Sequence, residues 1–271
     1  TQSFLVLAEG ARSVRDWDWL QRARTGEEDV ELVDVTSHYA QFAIAGPDAP
    51  ALLTKACSGG GAAPAHYACK FIEIGYGAAR LFRVVDVGEP SFRLLVPTDL
   101  AVSTYQQLMK YAEDFNLKHV GQHAWDSLQM EKALRRWGEV VGDRDTLRDA
   151  GLTQFIDESK SGYIGHHATR ESPQSSSRLI SVLLRDPHPQ LYGNEPIVCD
   201  GEIVGCVLSA MYGHWIGGAI GLGYIDGHGK DDITLTSNNY TIDIAGDHYL
   251  ASATLGCFYD PQGHRDAASN N

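Results

Sequence analysis

The chain has 271 residues, of which 43% are hydrophobic and 21% are charged, so it is long enough to bury the core of one large domain or two smaller ones. Its formal net charge of −13 disfavours a nucleic-acid partner, because an acidic surface repels the phosphate backbone. No apolar run approaches the roughly 18 residues that a transmembrane helix needs, so no membrane partner is expected either.

The first 170 residues alternate predicted strands with amphipathic helices. Residues 30–35 alternate apolar and acidic side chains as a half-buried strand does, and Asp48 is a suitable N-cap for the helix that follows it. Predicted strands span 4–8, 30–35, 41–45, 70–74, 79–87 and 91–96, and predicted helices span 16–23, 49–56, 101–111 and 123–134. This order predicts an α+β domain over residues 1–170.

A Ser/Pro-rich stretch at 171–177 predicts the domain boundary. Short strands separated by turns follow it, which is typical of a small β-barrel or sandwich. Predicted strands span 179–184, 196–198, 202–210, 219–224, 233–235, 240–244 and 248–255. Residues 171–271 are therefore predicted to form a second, all-β domain.

The five cysteines are odd in number and widely spaced, without a CxxC pair. They are expected to be free thiols in a reducing compartment, which predicts a cytoplasmic location, or the mitochondrial matrix if the source is eukaryotic. The histidines are scattered without a carboxylate partner at ligand spacing, so no metal site is predicted.

Five segments together resemble one known family. They are VELVDVTSHYAQFAIAGPDAPALL (30–53), LFRVVDVGEPSFRLLVP (81–97), GQHAWDSLQMEKALRRWGEVVG (121–142), DAGLTQFIDESKSGYIGHHA (149–168) and YGNEPIVCDGEIVGCVLSAMYGHWIGGAIGLGYI (192–225). Their wording and order resemble the aminomethyltransferase (glycine-cleavage T-protein) family, in the branch that includes sarcosine and dimethylglycine dehydrogenases. The resemblance implies an α+β folate-binding fold followed by a small C-terminal β-barrel.

The resemblance also implies an activity and partners. Members transfer a one-carbon unit from an amine or methyl donor onto tetrahydrofolate. In the dehydrogenase branch an FAD domain oxidises the N-methyl amine, so FAD is expected only on a partner domain or chain. The family's first lobe, with its "GG(x)xxD" segment, is not found here, because Gly59–Gly61 precedes no suitable Asp. We therefore expect another subunit, or the remainder of a longer chain, to supply that lobe.

Residues of the implied folate site are altered in this sequence. The pterin ring presents two adjacent N–H donors, which call for a carboxylate. The resemblance places the second Glu of "GExGxE" at Arg93, which carries donors only. A family Tyr corresponds to Asp86, and an Arg of several members corresponds to Trp125. Arg93 predicts weak or absent tetrahydrofolate binding; it is expected either to pair with Asp86 or Glu89, or to receive an anionic group of another ligand.

Trp137, Tyr212 and His214 complete the candidate cofactor-binding residues, because each matches an aromatic or histidine position of a family motif. A core role for Trp137 and a turn-forming role for Tyr212 and His214 are the structural alternatives. No catalytic residue is identified.

Two functions remain open from the sequence. The first is a tetrahydrofolate-dependent one-carbon transferase or demethylase domain or subunit that works with an FAD-dependent N-methyl amine dehydrogenase. The second is a degenerate relative that no longer binds folate and serves as a non-catalytic subunit, or acts on a different anionic ligand. The fold is common to both, so it does not separate them.

Overall fold

The computed structural model describes residues 3–58, 63–171, 177–227 and 230–267. In the first part of the chain the helices are α1 (Ser13–Ala23), α2 (Ala49–Ala56), α3 (Ala101–Met109), α4 (Gln122–Glu131) and α5 (His166–Glu171). The strands are β1 (Tyr39–Ala45), β2 (Cys57–Ser58), β3 (Cys69–Ile74), β4 (Gly77–Val84) and β5 (Ser91–Pro97). They form an antiparallel sheet in the order β1-β5-β4-β3-β2.

The core of this sheet is built on β5, whose residues are apolar at almost every position. Phe92, Leu94 and Val96 are essentially inaccessible to solvent, and the same cluster includes Leu52 and Leu53 of α2. Burial of such side chains contributes about 2 kcal/mol each, so the packing of α2 on the sheet is a major stabilising contact. Arg93, in the middle of the strand, interrupts this apolar run.

The second part of the chain is a closed six-stranded barrel with the strand order β10-β11-β6-β9-β8-β7. Its strands are β6 (Ser177–Leu184), β7 (Pro196–Cys199), β8 (Glu202–Gly213), β9 (Gly218–Asp226), β10 (Tyr240–Ile244) and β11 (Asp247–Thr254). Two short helices, α6 (Asp232–Ser237) and α7 (His264–Ala267), accompany it. Ring closure leaves no unpaired strand edge, and the interior is filled by side chains such as Ile180, Val182, Ile197 and Ile242.

Glycines allow β8 and β9 to approach closely inside the barrel. A Cβ atom at Gly223 would lie 2.3 Å from the carbonyl oxygen of Cys206, and one at Gly205 would lie 2.1 Å from that of Tyr224. Since both contacts are to backbone, neighbouring side chains cannot move to relieve them. Glycine is therefore required at these positions so that the two strands of the barrel can pack.

A buried carboxylate joins α4 to the barrel. The side chain of Glu131 is only 1% exposed, and its Oε1 accepts hydrogen bonds from the backbone N–H groups of Trp215 (2.7 Å) and Ile216 (3.2 Å) in the β8–β9 turn. Ser127, one turn earlier, donates to the carbonyl oxygen of Tyr212 at 2.8 Å. These contacts fix the barrel hairpin against the helix that also borders the cavity described below.

The α+β fold class with a C-terminal barrel is confirmed, but three predicted strands are wrong. Residues 4–8 and 30–35 are irregular, because β1 is the edge of the sheet and no strand pairs with them. Residues 233–235 belong to α6, since the carboxylate of Asp231 accepts from the N–H of Thr234 and caps a helix. Within this helix Ile233 is exposed and Leu235 is buried, so the apolar residues there do not mark one face of a strand.

Some boundaries also differ. α4 ends at Glu131 rather than at 134, because Ala133 adopts a left-handed conformation with φ of +54°. The predicted domain boundary at 171–177 falls mostly on residues 172–176, and the Gly59–Gly61 loop falls on 59–62; both lie outside the described residues. The division into residues 1–170 and 171–271 stays a prediction. Within the described ranges, none of the helices combines the length and hydropathy needed to cross a bilayer.

Candidate functional site

A cavity of about 700 Å³ lies on one side of the first sheet. Its walls are residues 41–45 of β1, Arg93 of β5, the C-terminal half of α3, the segment 117–120 and one face of α4, and residues 8–10 border it. All of the described residues that line it come from the part of the chain up to Arg136. The volume falls in the range typical of small-molecule sites.

Arg93 and Asp86 form an ion pair within this cavity. Nε of Arg93 donates to Oδ2 of Asp86 at 2.7 Å, and Nη2 lies 2.6 Å from the same oxygen. The guanidinium also lies over the indole ring of Trp125, with Cζ 5.5 Å from the ring centroid. The two charged side chains are 25% and 13% exposed, so the pair is largely shielded from solvent. Of the expected partners of Arg93, the structure selects Asp86.

Other polar side chains around the cavity are amides, paired charges and Lys118. Gln41, Gln122 and Gln129 line it, and Gln129 is buried. Arg136 lies 3.3 Å from the carboxylate of Glu9, which itself borders the cavity. These groups can donate and accept hydrogen bonds, while the positive charges of Arg93 and Arg136 are each balanced by a neighbouring carboxylate.

An aromatic pair also lines the cavity. The phenol of Tyr105 is 3.0 Å from Nε2 of His119, and the two rings are stacked with centroids 6.0 Å apart. Together with Trp125, these rings provide flat surfaces on which a heterocyclic ligand could pack. Sequence reasoning missed Tyr105 and His119, because neither lies in a motif and α3 was read only as an amphipathic helix.

The other three candidate residues lie outside the cavity lining. Trp137 is 37% exposed and contacts the guanidinium of Arg15 at 5.1 Å from its ring centroid. Tyr212 and His214 lie in the β8–β9 hairpin with ring centroids 5.2 Å apart. The structure therefore brings Arg93, Asp86 and Trp125 together and leaves these three apart. A ligand contact by any of the six stays a prediction.

Glu89 lies outside the cavity lining as well, in a second polar cluster. The phenol of Tyr259 donates to its Oε1, and Nη1 of Arg265 lies 3.1 Å from the same oxygen. The guanidinium of Arg265 is 4.6 Å from the ring centroid of Trp215. Burial, together with the Glu89 carboxylate, raises the pKa of Tyr259 to about 12. This cluster ties the turn before β5 to the C-terminal segment.

Comparison with known proteins assigns both parts of the chain. The model of the GCVT N-terminal domain matches residues 1–160, and that of the glycine cleavage T-protein C-terminal barrel domain matches residues 178–260. Among solved structures, the glycine cleavage system aminomethyltransferase T of Bartonella henselae superposes with a TM-score of 0.57 at 17% identity, over 80% of this chain and 83% of that one. This likeness supports the fold.

Curated relatives are longer proteins. The 4-methylaminobutanoate oxidase (formaldehyde-forming) of Paenarthrobacter nicotinovorans is 30% identical over 97% of this chain and 32% of its own length. The mouse mitochondrial pyruvate dehydrogenase phosphatase regulatory subunit is 27% identical over 94% of this chain and 31% of its own length. Human mitochondrial sarcosine dehydrogenase is 26% identical over 94% and 29%. The chain thus spans about a third of the length of these relatives.

The two family matches follow one another in the order in which the sheet domain and the barrel occur in the structure. The first of them covers more than half of the 271 residues. The chain therefore belongs to the aminomethyltransferase (glycine-cleavage T-protein) family and is related to the sarcosine dehydrogenases.

Proposed function

We propose that this chain is a tetrahydrofolate-dependent one-carbon transfer domain, and that the cavity beside β1 and β5 holds the reduced folate. Tetrahydrofolate, when bound, would supply the ring nitrogens that accept the one-carbon unit. The residues of the chain would bind and orient it: Trp125 and Tyr105 offer flat surfaces, and Gln129 offers a buried amide for the polar groups of the ring.

The observation that carries this proposal is the ion pair between Arg93 and Asp86. An unpaired guanidinium would confront the N–H donors of a pterin with further donors, which would oppose folate binding. In the structure Nε and Nη2 of Arg93 are both directed at Asp86, and the ion pair has no net charge. A carboxylate is thus present in the same cavity, although it comes from the turn before β5 and not from the strand itself. The change at position 93 is therefore compatible with a folate ligand.

We further propose that an FAD-dependent N-methyl amine dehydrogenase, as another domain or another chain, is the partner that delivers the one-carbon unit. The support is that relatives of about three times this length bear the names of an oxidase and a dehydrogenase of methylated amines. FAD itself would belong to that partner.

A second candidate is a non-catalytic member that binds folate poorly or not at all. Two observations favour it: Oδ2 of Asp86 is already occupied by Arg93, and one relative bears the name of a regulatory subunit. One free oxygen would have to accept both ring N–H groups, with poorer geometry than two oxygens that accept one each. A weakening equivalent to one such bond corresponds to roughly 10-fold in affinity, which reduces binding without abolishing it.

Calorimetric titration with 5-formyltetrahydrofolate, a stable reduced folate, separates the two. The first candidate predicts a dissociation constant on the order of micromolar to tens of micromolar. Ala43→Trp should abolish binding, because Ala43 lies opposite Arg93 on β1 and faces the cavity. Ala78→Trp is the matched control, since Ala78 is exposed on β4 outside the lining. A folded wild-type chain that shows no heat of binding would favour the non-catalytic candidate.

A further inference from the structure

We propose that Asp86, held in position by Arg93, is the hydrogen-bond acceptor that recognises the N–H-bearing end of the ligand in this cavity. The inference rests on the proposed function for the identity of that ligand, namely the aminopyrimidinone ring of a reduced folate. Arg93 is then a positioning residue, and Asp86 is the residue that determines which ring edge the cavity accepts.

The two oxygens of Asp86 differ in what they contact. Nε and Nη2 of Arg93 both bind Oδ2, at 2.7 and 2.6 Å, and so use the two lone pairs of that oxygen. Oδ1 has no comparable contact from the rest of the described chain, and Asp86 lines the cavity. A carboxylate oxygen carries two lone pairs, so Oδ1 can accept two hydrogen bonds from a ligand.

Arg93 restricts the position of this carboxylate. The guanidinium is held at one side by β5 and lies over Trp125, 5.5 Å from the ring centroid. Its Nε and Nη2 converge on Oδ2 and together restrict the position of that oxygen more than the single ammonium of a lysine would. Rotation of Asp86 away from the cavity would break both contacts and leave a shielded guanidinium without its partner.

The two guanidinium groups of the site do not call for an anionic ligand. Since Arg93 is balanced by Asp86, and Arg136 by Glu9, neither guanidinium is left to bind a carboxylate or phosphate, and Lys118 is the lining cation that has no ion pair among the described residues. The group presented by Asp86 is an acceptor. A 2-amino-4-oxopyrimidine ring has two adjacent N–H donors on one edge, and Oδ1 can accept from both. The ring carbonyl can accept a hydrogen bond from the NH₂ group of the Gln129 amide.

The ammonium group of a methylated amine is the other source of N–H donors that fits the same chemistry. The two sources differ in a testable way, because only the ring carries a 2-amino group that can be removed. We therefore compare three probes: 5-formyltetrahydrofolate, its analogue with a methyl group in place of the 2-amino group, and sarcosine.

The experiment measures the affinity of each probe for the wild type and for Asp86→Asn by calorimetry. The Asn side chain should turn its oxygen to Arg93 and its NH₂ to the ligand, so that donors face donors. We expect Asp86→Asn to weaken 5-formyltetrahydrofolate by about 30-fold or more, and the analogue without the 2-amino group by less than about threefold. Thermal unfolding of each variant checks that the fold is retained.

Asp86→Asn leaves the guanidinium of Arg93 without its ion-pair partner, so a second variant protects the test against misfolding. Asp86→Ala/Arg93→Met removes both charges together, leaves no side-chain acceptor at position 86, and should show the same dependence on the 2-amino group. Equal weakening of both folate probes would show that Asp86 acts on the fold alone and would overturn the inference. Unchanged affinity for 5-formyltetrahydrofolate would overturn it as well.

Failure of the proposed function gives a different pattern. If the wild type binds neither folate probe but binds sarcosine, and Asp86→Asn abolishes that binding, then Asp86 is an acceptor for the amine and the folate proposal falls. If none of the three probes binds the wild-type chain, both proposals fall together.

Discussion

Replacement of Glu131 tests the contact between α4 and the barrel. Its buried carboxylate accepts two backbone N–H bonds, from Trp215 and Ile216, and a bond to a charged acceptor contributes about 1.5–3 kcal/mol. Glu131→Ala removes the oxygen that accepts both bonds and leaves two shielded N–H groups without their acceptor. The free energy of unfolding should therefore fall by about 3–5 kcal/mol.

Glu131→Gln is the graded comparison. The amide oxygen can still accept both bonds, and the NH₂ group takes the place of Oε2, which has no hydrogen-bond partner among the described residues. We expect a loss of about 1–2 kcal/mol, because the acceptor loses its charge and the buried NH₂ group has no acceptor among the described residues.

Urea titration gives the free energy of unfolding of each variant, and hydrogen exchange shows which part of the fold is destabilised. The amides of Trp215 and Ile216 should exchange faster in Glu131→Ala than in the wild type, whereas those of β3 should not change. Glu113→Ala, at an exposed position after α3, is the control. A loss below about 1 kcal/mol in Glu131→Ala, with unchanged exchange at the hairpin, would refute the role given to this carboxylate.

Three further predictions concern single side chains. Arg93→Ala should lower the free energy of unfolding by about 1–2 kcal/mol in urea titration, because it leaves the shielded carboxylate of Asp86 unpaired; an unchanged midpoint would contradict this. The pKa of Tyr259 is raised from 10.0 to about 12, so its contribution to stability is complete below pH 10 and is lost as the pH rises towards 12. In absorbance titration at alkaline pH, Tyr259→Phe should therefore lose one late-ionising phenol; loss of an early one would refute the assignment. Gly223→Ala should unfold the barrel, since its Cβ would lie 2.3 Å from a carbonyl oxygen, whereas Gly142→Ala, with only a contact of 3.6 Å to a side chain, should cost less than about 1 kcal/mol by thermal unfolding.

Much of the fold followed from local patterns in the sequence. The helix at Ala49–Ala56 and the hairpin around Gly75–Gly77 were predicted because capping, periodicity and turn residues agree there. Residues 30–35 have the same alternation as a strand, but a strand also needs a partner, and pairing is decided by the tertiary structure. The helix Asp232–Ser237 was missed because its capping by Asp231 was outweighed by apparent alternation.

The candidate site was predictable only in part. The contact of Arg93 with Asp86 was one of the expected alternatives, since a charge inside an apolar strand needs a partner. The contact of Arg93 with Trp125 and the presence of Tyr105 and His119 in the lining depend on how helices pack against the sheet, and no local pattern encodes that.

The most direct test of the account is a crystal structure of this chain grown with 5-formyltetrahydrofolate. We predict density for the folate in the cavity beside β1 and β5, with the amino edge of its ring within hydrogen-bond distance of Asp86. Arg93 should still be bound to Oδ2. An empty cavity at saturating folate, or folate bound at the barrel with the cavity unoccupied, would contradict it.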